Sequence, residues 1–547
     1  MAGYRREQLE QMGRSELVTL ILAMQEQTAL LSAQVEQLNK SMESLIEQIR
    51  IANSYRFGKH TEKLSSLYDG QYSLFDEAES LAPEAPKEPE FEEAVPRRKK
   101  QKGKSDADLR DFPVEEVPVH RVPEEELIRF FGEGNYRSLP DEQYRKLKYV
   151  PASWIAELHT VEVYVGTKGE RQDEFLRGKH SRNLLKGSIL TSSLGAAILN
   201  GKFVNSIPLD RIEKEFERDG VNISKQTMAN WVIALSNRYL TPLWERMKEK
   251  LLSLHVNQCD ETPVQVIRDK SPSGNDQGYM WVHRSGEFYK DFEIVLFEYN
   301  KSRSHEVPLE FYKDYHGVLV TDSLSQYHLL EKKLSGITSA NCWAHARRSY
   351  ADALKAIGSK NADAIRQSTA WKALKRISTI YELEGALRDL SPGERLKARR
   401  KDILPIVDEY FSWVKETLSQ MLPKGKTAEG LNFSLNQEKY LRAYLSDGEV
   451  PIDNSATERA LRTFCVGKKN WMFINSVKGA DASAVVYSVT ETAKLNGLKP
   501  YAYLNHLLTE LPELLDDEGK VMDTAKLDAL LPWSKTLPDI CYKQRRD

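Results

Sequence analysis

The 547-residue chain is poor in cysteine, in net charge and in long apolar runs, and each shortage removes a class of protein. Four cysteines occur, Cys259, Cys342, Cys465 and Cys541, far apart and without a C-x-x-C pair. Neither a disulfide framework nor a thiolate zinc site is expected from them, and a reducing cytoplasm fits. The longest apolar stretches, such as SILTSSLGAAIL, fall short of the ~20 residues a spanning helix needs, and the start carries no signal-peptide pattern. A soluble, cytoplasmic protein with no membrane partner is the expectation. Lys+Arg 78 against Asp+Glu 80 gives a formal net charge of -2, which on its face argues against a nucleic-acid surface. The balance hides a segregation: eight acidic residues and one lysine between Asp76 and Glu93 run directly into RRKKQKGK, Arg97 to Lys104. Net charge therefore decides little.

What is present suggests three or more modules, because 547 residues with 40% hydrophobic content exceed one compact domain. Leu17, Ile21, Met24, Thr28, Leu31, Val35, Leu38, Met42, Leu45 and Ile49 follow one another in alternating steps of four and three. Only Thr28 breaks the apolar seam. Over residues 1–60 this predicts a coiled coil and self-association, with an amphipathic core helix as the alternative. Residues 61–111, rich in Pro, Glu, Ala and Lys, are too polar to bury a core and are expected to be a disordered linker. The basic run at its end is read as a solvated charge run in preference to a phosphate contact.

Residues 112–180 carry strand-like pieces, WIAELHTVEVYVG above all, and predict a small β module. Residues 181–250 read as a helix, a tight turn at Asp219-Gly220 and a second helix starting near Ser224, a plausible N-cap. In a helix-turn-helix, Lys225, Gln226 and Asn230 would lie where a recognition helix presents side chains to base edges. Ordinary helical pairs share this pattern.

From residue 251 to 475 the order is three strands, with a turn at Arg284-Ser285-Gly286 between the second and third, a helix, GVLVTDS as a buried strand, another strand and a helix. That order matches an α/β, ribonuclease H-like catalytic core, in which two Asp come together on neighbouring strands and a later helix supplies a Glu. A helical insertion at about 351–445 interrupts it, and residues 476–547 are expected to be a helical region packed on the core. Asp260 in HVNQCDETPVQV, Asp322 in GVLVTDSLSQY and Glu458 in DNSATERALRTF supply three separated carboxylates. Hard cations such as Mg²⁺ take oxygen ligands, and a pair of them suits phosphoryl transfer on nucleic acid. Each acid also has a rival reading. Asp260 could be a polar strand end, Asp322 a helix cap, and Glu458 the third helical position of a capping box with Ser455 as N-cap. Glu261 is the nearest competitor as a ligand.

Cations surround these acids in sequence. Arg459 and Arg462 lie beside Glu458, Arg347 and Arg348 follow the fifth strand near His345, and Lys468, Lys469, Asn470 and Trp471 close the later helix. Phosphate binding by the Arg and Lys residues, and stacking of Trp471 on an unpaired base, is the functional reading. Helix ion pairing, and core packing for Trp471, are the alternatives.

The segments RFGKHTEKLSS, IPLDRIEKEFERDGVNISKQTMANWV, DETPVQV, GVLVTDSLSQY, CWAHARRSY, DNSATERALRTFCVGKKNWMF and TAKLNGLKPYAYL span nearly the whole chain in order. In that combination the chain resembles the transposases of the insertion sequence 66 family. The resemblance implies a DDE-type recombinase in the bacterial, nucleoid-associated cytoplasm, with Asp260, Asp322 and Glu458 on its three acidic positions. They would hold two Mg²⁺ ions, with Mn²⁺ able to substitute. It implies double-stranded DNA with terminal inverted repeats, target DNA, a homo-oligomer and small accessory transposition proteins as partners. Similar proteins usually carry a cysteine-based zinc segment ahead of the helix-turn-helix. Here residues 112–180 hold no cysteine, so no zinc is expected. A catalytically silent DNA-binding descendant, and a nuclease without strand transfer, are the competing functions.

Overall fold

The computed structural model describes residues 13–57, 123–131, 133, 153–165, 175–178, 183–270, 274, 276–290, 292–357, 362–421, 424–516 and 519–543. The chain divides into two units, Ser80–His180 and the remainder. The expected linker at 61–111 lies outside the described residues.

In the smaller unit, the helix Glu124–Phe131 carries three glutamates in its first turn and Arg129 in its last, matching the helix dipole. β1 (Val163–Val165) pairs antiparallel with β2 (Phe175–Arg177), Val163 opposite Arg177. The strand pattern expected from Trp154 onward shrinks to these three residues. Ile155 and Leu158 are 85% and 93% exposed, so apolar alternation without a cover does not make them strand.

In the larger unit a single helix runs from Arg14 to Phe57. Of its heptad seam, Ile21, Met24, Leu31, Val35 and Met42 are exposed, Leu17 is half-buried, and the side chains of Leu38, Leu45 and Ile49 lie outside the described ones. The centre of the unit is a five-stranded mixed sheet in the order β5-β4-β3-β6-β7. Its strands are β3 (Val256–Gln265), β4 (Gln277–Ser285), β5 (Val295–Asn300), β6 (Gly317–Thr321) and β7 (Ile337–Asn341). β3, β4 and β5 form an antiparallel meander, while β6 runs parallel to both β3 and β7. Helices dominate the rest, so the chain is mixed α/β. Among the described residues no helix is long and apolar enough to cross a membrane.

Two expectations about this sheet change. The turn expected at Arg284-Ser285-Gly286 is longer, because β4 continues through Ser285, whose amide bonds the Ile294 carbonyl at 3.0 Å and whose Oγ accepts the Ile294 amide at 3.0 Å. A helix, Ser325–Lys333, also stands between β6 and β7, where the expected order of elements placed none and only the rival reading of Asp322 as a cap implied one. A parallel pair needs such a crossover to return the chain to the same sheet edge.

Two apolar cores lie on the two faces of the sheet. Val256, Val318, Val320 and Ala340 pack with Trp343, Tyr410 and the other helices of the insertion. Cys259, Trp281, Phe297 and Leu319 pack with the helices of 192–252 and with the C-terminal helices. The edge strand β5 is closed by the helix Val477–Leu495: Thr492 Oγ1 accepts the Val295 amide and donates to its carbonyl, and Ser488 Oγ accepts the Phe297 amide at 2.7 Å. Hydroxyls on a helix thus satisfy a row of groups that would otherwise template aggregation. The insertion is tied down by buried arginines. Arg399 is wholly buried, pairs with Glu384 and donates to the carbonyls of Tyr444 and Asp447 at 2.8 and 2.6 Å.

Candidate active site

Parallel pairing of β3 and β6 sets Val256 opposite Val318, Asn257 opposite Leu319 and Gln258 opposite Val320. Continued two residues further, that register brings Asp322, just past the end of β6, level with Asp260 inside β3. Strand alternation puts both on the face of Val256, Val318 and Val320, and puts Glu261 on the other. There Glu261 is buried, accepting from Arg303 Nε at 2.8 Å, from Gln326 at 3.3 Å and from the Tyr327 hydroxyl. The competitor for a ligand role is thereby occupied.

Glu458 comes from the helix Ser455–Trp471, whose N-cap is Asn454 with no side-chain cap bond. The capping box of the rival reading is absent. With Asn454 as cap, Thr457 takes the third helical position and Glu458 the fourth, so the Glu458 carboxylate is not spent on the helix end. This segment is held to the sheet at several points. Asn454 Nδ2 donates to the Cys259 carbonyl at 3.1 Å, its amide to Cys342 Sγ at 3.2 Å, and Gln258 Nε2 to the Asp453 carbonyl at 3.0 Å. Tyr381 donates its hydroxyl to Asp453 at 3.0 Å.

Burial pushes the Asp260 carboxyl well above the usual carboxylate range, and the charges of Asp322, Glu261 and Glu458 push it further; the Glu261 amide, bonded at 2.8 Å, opposes this. Burial, with Glu261, raises Asp322 to about 6 against the pull of Arg303 and Arg348. Glu458 is raised by burial, and Arg348, Arg462 and Arg459 pull it back. Three carboxyls raised by burial, with Asp260 raised further by the charges of the other two, form an arrangement that gains by receiving positive charge. Here that charge comes in part from the chain itself: Arg348 stands 3.5 Å from Glu458 Oε1, while His345 Nε2, 3.8 Å from the same oxygen, adds none. Burial holds His345 at about 4, so the ring is neutral. Among the described residues no three His, Cys, Asp or Glu side chains are gathered tightly enough to hold a metal ion.

The remaining candidates separate into surface and interior. Arg348 and Arg462 are exposed, whereas Arg347 is buried beneath the Tyr381 ring at 5.9 Å. Arg459 turns to Glu287 at 3.5 Å, in a cleft of about 410 Å³ lined also by Arg284, Arg388 and Glu491. Lys468 Nζ donates to the Pro263 carbonyl at 2.6 Å, while Lys469 is exposed. Trp471 is half-buried, edge-on to Phe464 at 5.5 Å with Lys202 5.8 Å above its ring. Sequence reasoning passed over Asn454, Gln258 and Arg303. Asn454 reads as ordinary cap chemistry, and no local signal marks the other two.

Away from the acids, the helices Leu209–Arg218 and Lys225–Leu235 are joined through Gly220, whose φ of 83° suits a residue without Cβ. Ser224 caps the second helix by accepting the Thr227 amide at 3.1 Å. Gln226 and Asn230 are exposed on one face and bonded to each other at 3.2 Å. Lys225 Nζ is engaged by Asp210 at 2.8 Å.

A family model described as "Transposase IS66 family" matches residues 187–482, and one described as "IS66 C-terminal element" matches residues 488–533. Among curated proteins, the chain is 28% identical over 350 residues to the uncharacterized protein y4hP of Sinorhizobium fredii, covering 62% of this chain and 61% of that protein. The uncharacterized proteins y4qI and y4jD of the same organism are 26% and 25% identical, over 64% of this chain and 64% and 67% of theirs. The chain therefore spans about three fifths to two thirds of the length of these relatives.

Proposed function

The chain belongs to the IS66 family of transposases, and on that premise we propose that it cleaves DNA at the ends of an insertion sequence and joins those ends to target DNA. The observation that carries the reading is the register that sets Asp322 level with Asp260 beside a helix delivering Glu458. The antiparallel β5-β4-β3 meander followed by parallel β6 and β7 supports a ribonuclease H-like core. The exposed heptad seam supports self-association of the N-terminal helix, and the exposed Gln226 and Asn230 support base contact in a helix-turn-helix. DNA with terminal inverted repeats, target DNA and accessory transposition proteins are the proposed partners.

The donor set fits a hard divalent cation: all oxygen, raised by burial, and in Asp260 raised further by the charges of Asp322 and Glu458. Asp260, Asp322 and Glu458 would hold it, and two Mg²⁺ ions would supply charge neutralisation and acidify the attacking water or 3′-hydroxyl. The chain's own residues do the rest. Asn454 and Gln258 fix the helix that carries Glu458, the Glu261 and Leu324 amides orient Asp260 and Asp322, and Arg348 and Arg462 offer guanidinium forks to a phosphate. When a substrate phosphate engages Arg348, Glu458 is released to turn toward the two aspartates.

Cleavage and strand transfer on labelled DNA bearing the element's ends test this, comparing wild type with Asp260→Asn, Asp322→Asn and Glu458→Gln at matched DNA binding. Loss of both steps in all three variants is expected. One observation favours the second reading, a catalytically silent DNA-binding descendant: Arg348 stands 3.5 Å from Glu458 and engages its carboxylate. Binding of the ends without cleavage in Mg²⁺ or Mn²⁺, accessory proteins included, would favour it.

A further inference from the structure

The helix that carries Glu458 ends in an unusual way. Met472 takes φ 65° and ψ -54°, and the Phe473 amide bonds the Trp471 carbonyl at 2.8 Å, which is the rare γ-turn of positive φ. Such a turn persists only where its flanks are fixed. Here they are. Before it, Lys468 Nζ is bonded to the Pro263 carbonyl and Asn470 Nδ2 to the Ser206 carbonyl at 3.0 Å, while Trp471 packs on Phe464. After it, the Ile474 amide bonds the Gln265 carbonyl at 2.9 Å, and the Ile267 and Arg268 amides bond the carbonyls of Ile474 and Asn475. The two side chains at the tip are left outside, Met472 65% and Phe473 48% exposed.

The surroundings of this apolar tip are basic. From Val466 to Ala480 there are three lysines and no acidic residue. Lys469, Lys478 and Arg268 are exposed, and among the described residues no ion pair engages them. Asp269 follows Arg268 and Asp481 lies one turn beyond Lys478, but three exposed cations with no ion pair among the described residues, beside two apolar side chains, match DNA, whose phosphates flank a stack of apolar faces.

We propose that Met472 and Phe473 form a wedge that enters the base stack of duplex DNA near the cleaved end, with Lys469, Lys478 and Arg268 on the flanking phosphates. This rests on the transposase reading and adds a contact of its own, in place of the base stacking expected of Trp471. It also fixes a distance. Gln265, which pins the tip, is five residues along β3 from Asp260, roughly 17 Å at ~3.3 Å per residue. At ~3.4 Å per base step, the unstacked step lies about five nucleotides from the scissile phosphate. Easily unstacked TA or CA steps should be favoured there.

The test uses the full chain and end DNA carrying 2-aminopurine singly at positions one to eight from the scissile phosphate. Binding should raise fluorescence several-fold at one site near the fifth position. The rise should survive in Asp260→Asn, which removes only the chemistry, and disappear in Phe473→Ala and in Met472→Gly, whose glycine keeps the positive φ. A wild type that cleaves its ends with no fluorescence rise at any position overturns the wedge and leaves the transposase reading standing. A rise without cleavage overturns that reading and keeps the wedge. If Phe473→Ala keeps the rise but loses self-association, the tip is a contact between copies and the DNA assignment falls.

Discussion

Asn454 donates its side-chain amide to the backbone carbonyl of Cys259 at 3.1 Å, so the residue that starts the Glu458 helix is bonded to the residue that precedes Asp260. Two acids 198 positions apart in the chain are held in one setting by a single buried hydrogen bond and its neighbours.

Asn454→Leu should therefore loosen the site without touching it. Leaving the Cys259 carbonyl unpaired costs about 1–3 kcal/mol, read as a lower melting temperature. Cleavage should fall tenfold or more while binding of end DNA is kept. Equal losses of binding and cleavage would mean the bond supports the fold alone.

Asp322→Asn should stabilise the protein in the absence of divalent ions. Burial and Glu261 hold its carboxyl at about 6, so at neutral pH the folded chain keeps a charge it disfavours, at a cost of up to about 3 kcal/mol. Mg²⁺ should raise the melting temperature of wild type and not that of the variant. An identical Mg²⁺ response in both removes Asp322 from the metal site.

Buried histidines make the fold acid-sensitive. His283 is wholly buried, stacked on Phe311 at 3.5 Å and bonded to the Tyr312 hydroxyl, and burial lowers its pKa despite Glu298 3.5 Å away. A lowered folded pKa means that the unfolded chain takes up the proton first. Stability is full above the unfolded value of about 6.5 and falls as pH drops below it, by at most ~1.4 kcal/mol per unit per group. Urea titrations at pH 7.5 and 5.5 should show this loss, and His283→Gln should flatten it. A loss of equal slope in the variant assigns the effect elsewhere.

Arg399→Met should cost about 3–5 kcal/mol, because it leaves the Glu384 carboxylate buried without its partner and two carbonyls without a donor. Adding Glu384→Leu should recover part of it. Limited proteolysis should then show cuts within 385–450 ahead of the sheet, and uncut chain in the single variant would contradict the anchoring role.

On the helix Lys225–Leu235, Gln226→Ala and Asn230→Ala should each weaken binding to the element's ends by about 1–3 kcal/mol and leave random DNA unaffected. Lys225→Ala should matter little, since its ammonium is already held by Asp210. Equal losses on both DNAs would make the helix a backbone contact.

Much of this architecture was legible from residue order. Alternation in HVNQCDETPVQV marked β3, the apolar run GVLVT marked β6, and Ser224 marked a helix start that lies one residue later. The helix Ser325–Lys333 was implied only by the rival reading of Asp322 as a cap and was missing from the expected order, because SLSQYHLLEKK is short and its need arises from the parallel crossover it completes. The turn after β4 was placed too early because Ser285 and Gly286 look like turn residues, while the Ser285 hydroxyl pairs across the strands.

The sequence by itself determined which segments are strands and helices and which acids, cations and aromatics they carry, since periodicity and caps act between neighbours within one element. Only the tertiary structure decided what those side chains meet. Strand register brought Asp322 level with Asp260, and the setting of one helix moved Glu458 off its cap, turned Arg459 to Glu287 and put Trp471 inward with Phe473 outward. Register and helix rotation are fixed by packing between residues far apart in the chain, which local sequence does not encode.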